Sequence, residues 1–239
     1  MKDEMLRAYR TYETIDKYTL ASKQRSRQIR ALYQSNKQYF GKNVLDIACG
    51  GGILGFMIEP LGIRYTGVDI NPDMIKAARK YAKALNSKNS FILKDATNSK
   101  MSGNFDTVTI IGNAIGHIST NEFLDMLNNI EGVVHKGSYL IVDYRDVMDM
   151  VSKRLWKDHY KNKEIDTHTL GADTINGAML RAGYVIKTKK KIKFDHKIWA
   201  PFIIEPLMRS HGWGLIKRSK SKRWSGWLDV YKRLASTTK

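Results

Sequence analysis

The stretch Val44-Leu45-Asp46-Ile47-Ala48-Cys49-Gly50-Gly51-Gly52 decides the fold. An apolar run of strand length ends in three glycines, and a helical pattern follows from about Ile53 to Leu61. Glycines let the backbone turn sharply and approach a ligand closely. The same alternation continues downstream. A second strand, Arg64 to Ile70, carries Asp69 near its end. Asn71 then caps a helix with Pro72 in its first turn and Met74, Ile75, Ala78, Tyr81, Ala82 and Leu85 on its inner side. Phe91 to Leu93 is the third strand, running into Asp95, and Phe105 to Ile111 is the fourth, broken at Gly112-Asn113. A helix around Glu122–Ile130 leads to the fifth strand, Tyr139 to Asp143. Strands alternating with helices predict a mainly parallel, doubly wound α/β sheet of Rossmann-like type.

Outside this frame the pattern is less regular. Residues 146–197 read as an insertion after strand five, with a helix near Met148–Tyr160 and a hairpin ending in Val185–Phe194. A helix near Pro201–His211 precedes two closing strands, Leu215–Lys217 and Trp227–Tyr231. Before Asn43, Ile29, Leu32, Tyr33 and Phe40 recur at helical spacing and predict a helical lid. The expected organisation is a lid over 1–42 and one α/β domain over 43–239, with 146–197 on the substrate side. Strands one and four should be neighbours, and the last strand should run antiparallel.

A chain of 239 residues with 42% hydrophobic content suits one full α/β core. No stretch reaches the apolar length of a membrane span. The start, Met1-Lys2-Asp3-Glu4, has no secretory pattern, and the single cysteine, Cys49, cannot close an internal disulfide. These features suit a cytoplasmic protein. The net charge of +18 is uneven: residues 1–43 carry +6, residues 187–239 carry +12, and the middle is neutral. Such ends favour anionic partners or form a solvated lysine surface.

In an open parallel sheet the ligand lies beyond the carboxyl ends of the strands, where the strand order reverses. Four polar positions fall there: the Gly50–Gly52 loop, Asp69, Asp95 and Asn113. An acid after strand two accepts from ribose hydroxyls, and an acid after strand three accepts from an adenine amino group. The rival is a dinucleotide site, because Gly50-x-Gly52-x-x-Gly55 fits the fingerprint and Asp69 follows about twenty residues on. Asp46 opposes that reading, since a carboxylate beside the loop repels a pyrophosphate but tolerates a cationic ligand. Asp95 has no role in the dinucleotide scheme.

As a set, these segments resemble the class I S-adenosylmethionine (SAM) dependent methyltransferases. Val44–Gly52 resembles their first motif, Gly67–Met74 the next and Lys94-Asp95-Ala96 the adenine motif, although Ala48 stands where many members have glycine. Five strands plus a closing hairpin is the arrangement of that family. The resemblance covers roughly residues 40–145. It implies SAM as cofactor, held by Asp46, Ala48, Gly50, Gly52, Asp69, Ile70, Met74, Asp95, Ala96 and Gly112. Two further segments, Gly112–Ile118 and Leu140–Asp146, resemble the glycine and sarcosine N-methyltransferases. Carried over, Arg145 grips a substrate carboxylate and Asn113 helps to hold the amine, which suits a guanidinium fork. Asp146-Val147-Met148 departs from that pattern. An ion pair of Arg145 with Asp143 or Asp146 is the alternative.

The expected activity is methyl transfer to a small-molecule acceptor, an amine nitrogen of a carboxylated substrate. The chemistry needs positioning more than a strong base, so no general base is assigned. His117 reads as a capping or packing residue, and no Cys/His cluster has metal spacing. An RNA methyltransferase is the second reading, with nucleic acid held by Lys217, Arg218, Lys220, Lys222 and Arg223 beside Trp224 and Trp227. A SAM-binding or nucleic-acid-binding module without turnover is the third. Lys187, Lys189, Lys191 and Lys193 are expected on one face of a solvated edge strand.

Overall fold

The computed structural model describes residues 19–162, 165–220 and 226–234. Seven strands form one sheet: β1 (Asn43–Ile47), β2 (Arg64–Asp69), β3 (Ser90–Leu93), β4 (Phe105–Ile110), β5 (Val134–Arg145), β10 (Trp213–Lys220) and β11 (Gly226–Arg233). Their order is β10-β11-β5-β4-β1-β2-β3. β1 pairs in parallel with both β2 and β4, with Leu45 opposite Thr66 on one side and Val108 on the other. The order therefore reverses at β1 and β4, as expected. β11 runs antiparallel between β5 and β10.

Alternating residues of β1 feed two separate cores. Leu45 and Ile47 pack with Val108, Ile110, Phe123 and Met126, under helices α4 (Thr120–Ile130) and α6 (Pro201–Ser210). Val44 packs on the opposite face with Leu54, Tyr65, Ile75 and Phe91, under α1 (Lys23–Asn36), α2 (Ile53–Ile58) and α3 (Pro72–Ala84). This period of two is what a strand covered on both faces requires. Helix starts follow local chemistry. Asn71 accepts the Asp73 N–H at 2.9 Å at the start of α3, and Ser119 with Glu122 forms a reciprocal capping box on α4. Within the segment expected as a lid, the described residues form α1, capped by Ser22 and packed through Ile29, and residues 1–18 lie outside the described residues. No helix of the described residues is long and apolar enough to cross a membrane.

The segment 146–197 differs from expectation. The helix near Met148–Tyr160 is only α5 (Val147–Ser152), begun by the Asp146 side chain and ended at Lys153. The hairpin is a four-stranded antiparallel sheet of β6 (His159–Lys161), β7 (Ile165–Asp173), β8 (Ala178–Val185) and β9 (Lys191–Lys197), in that order. Residues 186–190 form the β8–β9 turn, with Lys189 in the left-handed region at φ +56°. Lys187 and Lys189 therefore do not share a strand face with Lys191 and Lys193, which do lie on the edge strand β9.

Candidate active site

The loop after β1 is built from left-handed residues: Ala48 at φ +58°, Gly50 at +54° and Gly52 at +76°. A Cβ on Gly52 would lie 2.3 Å from the Phe91 ring, so this glycine is required twice over. Ala48 holds a conformation that glycine adopts without strain, which gives a physical reason for the glycine common at this place in the resembling family. The loop is fastened to β2, since the Cys49 N–H donates to the Val68 carbonyl at 3.0 Å.

Asp69 braces the loop from below. Its Oδ2 accepts the Gly50 N–H at 2.8 Å, and its Oδ1 accepts the Asn71 N–H at 2.8 Å. Burial raises its pKa, while the backbone donors of Asn71, Gly50 and Ile70 oppose the shift. Each carboxylate oxygen keeps a second lone pair. On one side of the loop opens a cleft lined by Ala48, Asp69, Ile70, Asp95, Ala96 and His117, with an apolar floor including Val68 and Ile110. Asp95 is steadied by Thr97, whose N–H and hydroxyl donate to its Oδ1 at 3.0 and 2.7 Å.

On the other side lies a second, smaller cleft bordered by Arg25, Asp46, Ala48, Cys49 and Gly50. Asp46 is 2% exposed. The Tyr65 hydroxyl donates to its Oδ2 at 2.7 Å and the Thr109 hydroxyl to its Oδ1 at 2.6 Å. Burial pushes its pKa up to about 6 against these two donors. Arg25, on α1, faces this carboxylate and covers Gly112, where a Cβ would meet its Nη2 at 2.3 Å. The sequence reading missed Arg25, because an apolar stripe marks a lid helix without showing what it closes over. Gly52, Met74 and Gly112 line neither cleft. Met74 is 6% exposed, on the inner side of α3.

Gly112 and Asn113 form the turn after β4, with Asn113 at φ +64°. Both backbone N–H groups donate to Asp143 Oδ1, at 2.5 and 2.8 Å. Burial pushes the Asp143 pKa up to about 6. The Asn113 side-chain oxygen accepts the Arg145 N–H at 2.8 Å, so the two residues expected at the acceptor lie side by side. Asp146 accepts the Asp149 N–H at 2.9 Å and the Trp227 indole N–H at 2.9 Å, and the Arg145 charge also reaches Asp143.

The Arg145 charge reaches His117 and His196. His117 closes a short turn beside the larger cleft, and its pKa falls to about 4, first through burial and then through Arg145. His196, on β9, lies 5.8 Å from the His117 ring and 6.0 Å from that of Trp156. Burial drives its pKa well below the ordinary value, helped by His117, Arg145 and Arg181. The Arg181 guanidinium stands 5.6 Å from the Trp156 ring centroid and donates to the Lys157 carbonyl at 2.8 Å. The small sheet thus contributes His196 and Arg181 to the region around Arg145, and both escaped the sequence reading.

The basic cluster on β10 is largely engaged within the chain. Lys217 donates to the Ser35 carbonyl at 3.0 Å and to Asn36 Oδ1 at 2.9 Å. Arg218 grips Asp229 bidentately, at 2.9 and 2.8 Å, and reaches Glu205 at 3.2 Å. Lys220 sits 3.9 Å from the Trp227 ring centroid. Lys222, Arg223 and Trp224 lie outside the described residues.

Residues 44–137 match the family described as "Methyltransferase domain". The chain is 28% identical to glycine N-methyltransferase from Oryctolagus cuniculus over 132 residues, which are 48% of this chain and 45% of that protein. It is 36% identical to the mitochondrial ubiquinone biosynthesis O-methyltransferase of Schizosaccharomyces pombe over 81 residues, 33% of this chain and 30% of that one. The matches thus span less than half the length of these relatives. A solved structure of an S-adenosylmethionine-dependent methyltransferase from Clostridium acetobutylicum superposes with a TM-score of 0.66 at 16% identity, covering 98% of this chain and 99% of that one. The fold is the Rossmann-like methyltransferase fold.

Proposed function

We propose that this chain, whose residues 44–137 belong to the methyltransferase domain family, transfers a methyl group from SAM to an amine nitrogen of a small carboxylated acceptor. The observation that carries the cofactor assignment is the pair of clefts meeting at Ala48. One is apolar with carboxylates at its rim, which suits a nucleoside whose hydroxyl and amino hydrogens need acceptors. The other sets Arg25 against Asp46, which suits an amino-acid end carrying both charges. A pyrophosphate at this loop would face Asp46, so a dinucleotide fits worse. In this reading Asp69 accepts from the ribose and Asp95 from the adenine. Gly50 admits the ligand to the backbone, Ile70 and Ala96 give apolar walls, Gly52 shapes the loop and Met74 packs behind it, and Gly112 makes room for Arg25.

SAM supplies a methyl carbon already activated by a positive sulfur. Transfer to an acceptor nitrogen would release the neutral thioether and one proton, and would ask the protein for position rather than for a strong base. The protein's part is alignment. Arg145 holds the acceptor carboxylate and Asn113 fixes where Arg145 leaves β5. The neutral side chains of His117 and His196 wall the site, and no side chain is assigned as general base. The glycine N-methyltransferase relative supports an amine acceptor, and the ubiquinone O-methyltransferase relative keeps an oxygen acceptor in the test.

The test is a methyl-transfer screen over carboxylated amines, uncharged amines, phenols and bulk tRNA, with wild type and Arg145→Lys. Methylation of a carboxylated amine, lost in Arg145→Lys, supports the reading, because a point charge does not replace a planar fork. Transfer to tRNA alone, unchanged in Arg145→Lys, overturns it. In that case charge reversal at Lys220, Lys222 and Arg223 should flatten the salt dependence of RNA binding.

A further inference from the structure

We propose that His159, Asp166 and His168 form a binding site for a divalent cation of the zinc class on the four-stranded sheet. Nothing in the methyl-transfer reading requires it. The three residues meet through strand pairing, since His159 stands opposite His168 and Lys161 opposite Asp166 in the β6–β7 ladder. Residues directly opposite one another share a face, and so do residues two apart on one strand. All four therefore project from the same face.

The donor atoms converge. His159 Nε2 lies 2.8 Å from Asp166 Oδ1, and His168 Nε2 lies 3.9 Å from the same oxygen. The imidazoles are stacked, with centroids 4.3 Å apart and an interplanar angle of 5°. All three donor atoms fit within 4.8 Å of one another. Ligands on a tetrahedral zinc ion stand roughly 3.3 Å apart, given bonds of about 2.0–2.2 Å. Binding would require the two stacked rings to tilt until both planes meet at the ion, which their exposure permits.

The surroundings are arranged as a metal site requires. Asp166 Oδ2, the oxygen turned away from the histidines, is held by the Tyr184 hydroxyl at 3.3 Å and by Lys161 Nζ at 3.2 Å. Partners on the second oxygen of a ligating carboxylate fix the direction of the first. Asp166 is 6% exposed, whereas the side chains of His159 and His168 are 53% and 64% exposed. An ion bound there would reach solvent and complete its shell with water. Two imidazole nitrogens and one carboxylate oxygen select zinc, nickel, cobalt or copper over magnesium or calcium.

The consequence is structural. β6 has three residues and lies at the sheet edge, paired with β7. An ion held by His159 on β6 and by Asp166 and His168 on β7 clips the two together. Arg181 stands opposite Phe194, on the face away from the one shared by His168 and Ala182. The ion would thus secure the sheet that presents Arg181 and His196 to Arg145 without touching that region.

The test uses the full-length chain without an affinity tag, stripped with a chelator and titrated with cobalt(II) and zinc(II). Calorimetry and the visible cobalt spectrum should show one saturable equivalent. His159→Ala and His168→Ala should each weaken binding by at least about tenfold, while His135→Ala, at an exposed histidine elsewhere, should change nothing. Circular dichroism of the metal-free variants should match wild type. If either alanine variant misfolds, the copper(II) complex of the wild type decides: splitting from two nitrogens supports the site. Binding without one-to-one saturation, binding unchanged in both histidine variants, or copper coordinated by fewer than two nitrogens overturns the proposal.

Discussion

The side-chain oxygen of Asn113 accepts the backbone N–H of Arg145 at 2.8 Å, so the end of β4 fixes the end of β5. This bond decides where Arg145 projects. Asn113→Ala should leave that half-buried N–H without its acceptor and place a non-polar residue at φ +64°. The expected loss is about 1–3 kcal/mol of stability for the unmet donor, with strain added. Asn113→Gly should lose less, because glycine adopts that backbone freely. Urea unfolding of the three proteins checks the order.

Gly52→Ala should be among the most damaging single changes in the loop. Its Cβ would meet the Phe91 ring, which packs in the core against Phe56 and Tyr65. Overpacking of this kind costs about 1–3 kcal/mol. SAM affinity should fall together with the melting temperature. An unchanged melt would show that Phe91 gives way.

Arg25→Gln separates the two clefts. Arg25 borders the Asp46 side of the loop, away from Asp69 and Asp95. A lost charged hydrogen bond is worth about 1.5–3 kcal/mol, which is about tenfold to a hundredfold in affinity. The variant should lose that much for SAM and little for 5′-methylthioadenosine, which lacks the amino-acid end. Equal losses for both would place Arg25 elsewhere.

The buried acids make stability fall with pH. Asp143 has its pKa pushed up to about 6, above its ordinary value of 3.8. The folded state therefore binds the proton more tightly than the unfolded chain. Its contribution is full below about pH 4 and is lost as pH rises to about 6, at up to about 1.4 kcal/mol per pH unit. Asp143→Asn keeps an oxygen for the Gly112 and Asn113 N–H groups and removes the titration. Its unfolding free energy should be flatter than wild type between pH 4 and 6, where Asp46 still contributes.

The parts legible in the sequence are those where one local rule governs. β1 and β4 are short, mostly buried strands, β2 is marked by its position between the two helical patterns, and Asn71-Pro72 marks a helix start by its own chemistry. The small sheet was not legible as four strands. Its outer face is polar, as His168, Tyr184 and Lys193 illustrate, so alternation gave a weak signal. The turn at 186–190 contains neither glycine nor proline, and Lys189 takes the left-handed conformation unannounced. Arg25, Arg181 and His196 reach the site through tertiary contact, from segments far apart in the chain. The cluster at His159, Asp166 and His168 depends on the β6–β7 register, which no spacing rule for metal ligands encodes.

A calorimetric titration of the wild-type chain with SAM, S-adenosylhomocysteine and NAD distinguishes a SAM site at the glycine loop and its acids from a dinucleotide site. The expected result is one site per chain for SAM and for S-adenosylhomocysteine, and no comparable heat with NAD. In Asp69→Ala, SAM affinity should fall about tenfold to a hundredfold, the loss expected of a charged acceptor. Saturable NAD binding with no response to SAM or S-adenosylhomocysteine would contradict it.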